Sequence, residues 1–231
     1  SNKTAGSKKE LESTIDFTSN SSSLTSEALE LAAISLQSGK PQEAYSYCVK
    51  ALKVDPADAE ALNLAGVAAF QNGDADQAIS LLETAVSFKA DFSDAFNNLG
   101  NVHKGINDLA SAEVAYRRAI SCNPESLDAV FNLGILLEAQ GFFRKAEESY
   151  LRCLELSPCM IPALFNLGNV YKAVSSEINW PTNDAEIIPL TDKYQKLLMD
   201  TYNRSIHVLE APELSGPTLS NTLDIEKITE N

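Results

Sequence analysis

The chain has 231 residues, of which 44% are hydrophobic, and 18 Lys and Arg against 32 Asp and Glu give it a formal charge of −14. Such acidity repels phosphate backbones and anionic headgroups, which argues against nucleic acid or a membrane surface as partner and leaves a neutral or basic protein. No apolar run approaches the roughly 20 residues that span a bilayer, and the first residues lack the apolar core of a signal peptide, so a cytoplasmic protein is expected. The four cysteines, Cys48, Cys122, Cys153 and Cys159, include no C-x-x-C pair and have only two histidines to join them, so neither a metal nor a cofactor is expected.

Residues 1–24 are rich in Ser, Lys, Asn and Thr and read as a disordered lead-in, with a Leu11, Ile15 spacing that suits a helical turn. From residue 25 onward the apolar pattern is helical and predicts pairs at 25–38 and 41–54, 59–72 and 75–88, 93–106 and 109–122, and 127–140 and 143–156. The pairs are copies of one another. AFNNLGNVHKG starts at Ala95, AVFNLGILLEA at Ala129 and ALFNLGNVYKA at Ala163, each 34 residues after the last, and the second halves repeat as SAEVAYRRAISCNP from Ser111 and KAEESYLRCLELSP from Lys145.

Counted from the first helical residue of each unit, position eight is always small: Ala32, Gly66, Gly100, Gly134 and Gly168. Position twenty holds Ala44, Ala78, Ala112 and Ala146. Two antiparallel helices approach closely only where the side chains at their crossing are small, and bulky apolar residues fill the space around it. Leu31, Leu99, Leu133 and Leu167 are the expected fillers from first helices, with Tyr116 and Tyr150 from second helices. Pro56, Pro124 and Pro158 punctuate the units at position thirty-two.

The fifth unit is interrupted. Its first helix is expected to end near Val174, and its second resumes as YNRSI at Tyr202, so about 18 residues are inserted. Residues 175–190 are expected to form an irregular excursion at one edge of the array, with the single Trp180 either covering the end of the stack or presenting a docking site. Residues 210–231, with Pro212, Gly216 and Pro217, read as a linker or tail.

This pattern resembles the tetratricopeptide repeat, W-x2-L-G-x2-Y followed by A-x3-F and then A and P, and the resemblance covers residues 25–174 without a gap. It implies an all-α fold, a right-handed solenoid of antiparallel helix pairs with five repeats over 25–209, and a scaffold that binds another protein or an extended peptide in a concave groove. The family geometry turns positions two, five, six, nine, twelve and thirteen of each first helix toward that groove. The candidate binding residues are therefore Asn63 and Asn97 at position five, Asn98, Asn132 and Asn166 at six, Asn101 and Asn169 at nine, and Lys104 and Lys172 at twelve. An amide both donates and accepts, so it can pair with a ligand's backbone without reading its side chains. The set is similar to the asparagine ladder in the repeat arm of O-GlcNAc transferase, which makes the recruiting arm of a larger glycosyltransferase the alternative to a stand-alone adaptor.

A carboxylate clamp of the chaperone-binding kind is disfavoured, because its frame here supplies Asn97, Asn101, Asn132, Pro162 and Asn166 but no cation. The acidic row Glu60, Asp94 and Asp128 at position two suits the positive end of a helix dipole. Catalysis is not expected, since the chain has no G-x-x-x-x-G-K-[ST], G-x-S-x-G or H-E-x-x-H, and His103 occupies an aromatic packing position. Self-association through the end repeats is a further possibility the array leaves open.

Overall fold

The computed structural model of the chain describes residues 24–177, together with Asp200 and Asn203. The lead-in before residue 24, Trp180 and most of the insertion, Tyr202 and the tail lie outside the described residues. Nine helices follow one another among the described residues: α1 (24–37), then α2 (Pro41–Val54), α3 (Ala59–Gln71), α4 (Ala75–Phe88), α5 (Ser93–Gly105), α6 (Leu109–Cys122), α7 (Leu127–Ala139), α8 (Phe143–Leu156) and α9 (Ile161–Glu177). The chain divides into two compact units, residues 1–136 and residues 137–231.

In the first unit each helix packs against the next in sequence from α2 through α6, and α3 also touches α5, two helices on. That skip contact sets first helices beside first helices, the arrangement of a stacked array. In the second unit α8 packs against α9. The helix α9 runs three residues past the expected stop at Val174, so an irregular excursion begins no earlier than residue 178.

The close crossings follow from the small residues. A Cβ added at Gly66 would come within 2.6 Å of Leu82 Cγ, and one at Gly100 would overlap the Tyr116 ring. Ala44, Ala78, Ala112 and Ala146 are all 0% exposed. Around them Leu82, Tyr116 and Tyr150 are completely enclosed, and burial of such a side chain contributes about 1.5–3 kcal/mol. Leu99, Leu133 and Leu167 fill the interior as expected, but Leu31 does not: it is 37% exposed, because no described helix precedes α1 to cover it.

The turn inside each repeat uses one device four times. Position fifteen has a positive φ in Gly39 (68°), Gly73 (89°), Asn107 (64°) and Gly141 (78°). The next residue's N–H reaches back five residues, from Asp74 to Ala69 O at 3.0 Å and from Asp108 to His103 O at 2.8 Å. This pairing satisfies the carbonyls orphaned at a helix end, and Gly or Asn suits it because the left-handed region costs them least. Asp74 and Asp108 then cap the second helices, accepting from Gln77 N at 3.0 Å and Ser111 N at 3.1 Å. The hydrogen bonds from Ser111 hold the Asp108 carboxyl below its ordinary range, and His103 adds to the effect.

Burial also sorts the thiols. Cys48 and Cys153 are 0% exposed, Cys122 is half-buried and Cys159 is exposed. Thiol titration of the native protein is therefore expected to show Cys159 reacting quickly and Cys122 slowly, with Cys48 and Cys153 reacting only in denaturant. Rapid modification of all four without denaturant would contradict this packing.

Candidate functional site

The amides predicted to line a groove lie on α3, α5, α7 and α9, and four of those in the first unit are joined across neighbouring first helices. Asn98 Nδ2 on α5 donates to Asn63 Oδ1 on α3 at 2.9 Å. Asn132 Nδ2 on α7 donates to Asn97 Oδ1 on α5 at 3.0 Å. Both bonds run from position six of one repeat to position five of the repeat before it, a separation of 35 residues and so one more than the period.

This geometry gives the amides structural work besides any ligand contact. Each pair ties two repeats together, and Asn63 is only 7% exposed. A net contribution of about 0.5–1.5 kcal/mol per bond is ordinary for such pairs. An amide has two donors and two acceptor lone pairs, so Asn97, Asn98 and Asn132, all half-buried, keep capacity for a ligand after the lateral bond.

A further orienting contact was not anticipated. Tyr116 Oη, at position twenty-four, donates to Asn101 Oδ1 at 2.8 Å. The contact fixes the Asn101 carbonyl inward and leaves its NH2 group on the other side of the amide. Its signal was present in the sequence, as a tyrosine where the repeat pattern has phenylalanine. Burial pushes the Tyr116 phenol well above its ordinary value, so it stays a donor. We expect Tyr116→Phe to keep its packing and lose about 0.5–1.5 kcal/mol of stability, read as a lower melting temperature; an unchanged one would show that the bond is not formed.

In the second unit Tyr150 plays a related part. Its Oη donates to Glu138 Oε2 at 2.6 Å and accepts from Asn166 Nδ2 at 3.4 Å. The fourth repeat has Phe131 at position five, with no amide oxygen to offer, and Asn166 turns instead to this hydroxyl. Asn169 is half-buried and Lys172 exposed on the same helix α9, while Lys104 is half-buried near the end of α5. Glu60, Asp94 and Asp128 are exposed in first turns.

A cavity of about 430 Å³ lies between Glu83 of α4, Phe96, Leu99 and His103 of α5, and Val114 and Arg118 of α6. The Arg118 guanidinium sits 5.8 Å from the Phe96 ring centre. His103 Nδ1 stands 3.5 Å from Asp108 Oδ2, and it makes no hydrogen bond among the described residues. Among those residues no group of three or more His, Cys, Asp or Glu is placed to hold a metal, and no helix is long and apolar enough to cross a membrane.

Two tetratricopeptide-repeat family models match the chain, one over residues 35–99 and the other over 97–159, together more than half of its length. The chain belongs to the tetratricopeptide-repeat family. Solved structures share its fold. One is MamA, at 23% identity and a TM-score of 0.62, covering 78% of this chain and 98% of that one. Another is YrrB, described as a TPR protein with an unusual peptide-binding site, at 19% identity and a TM-score of 0.55, covering 81% and 87%. A Thermobaculum terrenum O-GlcNAc transferase matches at 22% identity and a TM-score of 0.55, over 58% of this chain and 26% of its own. No protein of curated function matches the sequence.

Proposed function

We propose that the chain is a protein-interaction scaffold that holds an extended segment of a partner protein along its first helices. The observation that carries this reading is the joined set Asn63, Asn98, Asn97 and Asn132, with Asn101 oriented by Tyr116. Amides already locked by neighbours lose little freedom when a ligand binds, and they offer backbone pairing that tolerates many sequences. The formal charge of −14 favours a neutral or basic partner, and Lys104 would add a smaller, salt-sensitive contribution. The recruiting arm of a larger glycosyltransferase is the alternative reading, and the likeness to the transferase is one of fold.

The test is a random peptide library selected on the wild-type protein, followed by calorimetry of a selected peptide against Asn101→Ala combined with Asn132→Ala. Affinity should fall at least tenfold, the equivalent of about 1.4 kcal/mol. Asn132→Ala also loses its bond to Asn97, so the melting temperature should drop modestly while the helical content holds. Unchanged affinity would place the ligand elsewhere.

A further inference from the structure

Among the described residues of the first unit, the surface that a first helix turns toward the preceding repeat is buried in α3 and α5 but not in α1. In the first unit Ala95, Leu99 and Val102 of α5 share a cluster with Ala78, Leu82 and Ala85 of α4, the second helix before it. The same positions of α3, Ala65 and Ala68, meet Ala44 and Cys48 of α2. Position ten is 0–1% exposed in Ala68, Val102, Leu136 and Val170, but Ile34 of α1 is 58% exposed. Leu31 at 37% and Leu24 at 55% complete an apolar stripe with the helical spacing i, i+7, i+10. Glu27 and Glu30 border it, and α1 carries no Lys or Arg.

We propose that this stripe is the docking site of the chain's own residues 8–18. Leu24, at one end of the stripe, is the first residue of α1, so the segment is tethered directly beside its target. The 13 residues from Leu11 to Leu24 can reach about 40 Å when extended, and the stripe from Leu24 to Ile34 is about 15 Å long. Leu11 and Ile15 share a face in either a helix or an extended chain. When extended, Phe17 joins them, and Glu10, Glu12 and Asp16 fall on the opposite face, away from Glu27 and Glu30. Lys8 and Lys9 supply cations that α1 lacks.

The tether also decides between occupants. A stable contact between separate molecules takes roughly 1,000 Å² or more of buried surface, far beyond three side chains. A segment held by a short linker has an effective concentration in the millimolar range, so a weak apolar contact suffices. The inference is independent of the groove and stands or falls without it.

The experiment is hydrogen exchange of the α1 amides in the full chain, comparing wild type with Leu11→Asp combined with Ile15→Asp. These substitutions lie outside the repeats and leave the array able to fold. Exchange of α1 should speed up about fivefold or more, with α5 and α6 unchanged. Ile34→Ser should speed α1 similarly, and adding it to the first pair should bring little more, since both act on one contact. Wild-type exchange in the Leu11→Asp, Ile15→Asp variant would overturn the proposal. So would sedimentation showing a concentration-dependent dimer that Ile34→Ser abolishes, which would give the stripe to a second copy.

Discussion

Replacing Gly100 with alanine is expected to destabilise the array, although glycine is among the poorest helix formers. Relieving a mid-helix glycine gains about 1 kcal/mol of helix propensity. Against that, the new Cβ would overlap the Tyr116 ring, which is 0% exposed and has nowhere to move. Overpacking of this kind typically costs 1–3 kcal/mol, so the clash outweighs the propensity, and Gly100→Leu should be worse. Gly105, five residues on in the same helix, is the internal comparison. Its added Cβ would meet the Phe70 ring, which is only partly buried and can swing aside. Chemical denaturation should therefore show a clear loss for Gly100→Ala and a much smaller change for Gly105→Ala. Equal effects at the two sites would mean that the crossing at Gly100 is looser than its neighbours require.

The repeat made most of this fold legible, because a period of 34 residues carries the pairing of helices with it. Ala78, Ala112 and Tyr116 were assigned their packing roles from spacing alone, and all three are enclosed. Leu31 escaped that logic, since a sequence position says what a residue could pack against but not how far it is covered, and it is 37% exposed. The left-handed turn at position fifteen was not read from the sequence, since Gly39, Gly73 and Gly141 share it with Asn107, which keeps the conformation under a different residue type. The candidate site was half legible. The asparagine positions could be read, but their lateral bonds join residues 35 apart, one more than the period, and so depend on how first helices are staggered. A pattern read within each repeat has no access to that offset.

Alkaline pH should unfold the protein through the same buried groups that hold its repeats together. Burial, with a smaller contribution from the nearby Asp58 charge, pushes the Cys48 thiol from 9.0 up to about 11. The Tyr116 phenol is raised by burial, and Tyr150 is raised by burial and then by its hydrogen bond to Glu138 and that residue's charge. In the unfolded chain all three would ionise near their ordinary values, so above pH 9 the native state binds more protons than the unfolded one. Stability is then whole below about pH 9 and falls as pH rises, first through Cys48 and, above about 10, through the tyrosines. A shift from 9.0 to about 11 corresponds to about 2–3 kcal/mol lost by pH 11, set against total stabilities of about 5–15 kcal/mol. The urea midpoint should hold level to pH 9 and decline steeply beyond it. Cys48→Ala should flatten the first part of that decline, and Tyr116→Phe the part above pH 10, whatever each does to stability at neutral pH. A wild-type midpoint that stays flat from pH 9 to 11, or a Cys48→Ala variant that keeps the wild-type slope, would show that the thiol is not held neutral by the packing of α2 against α3.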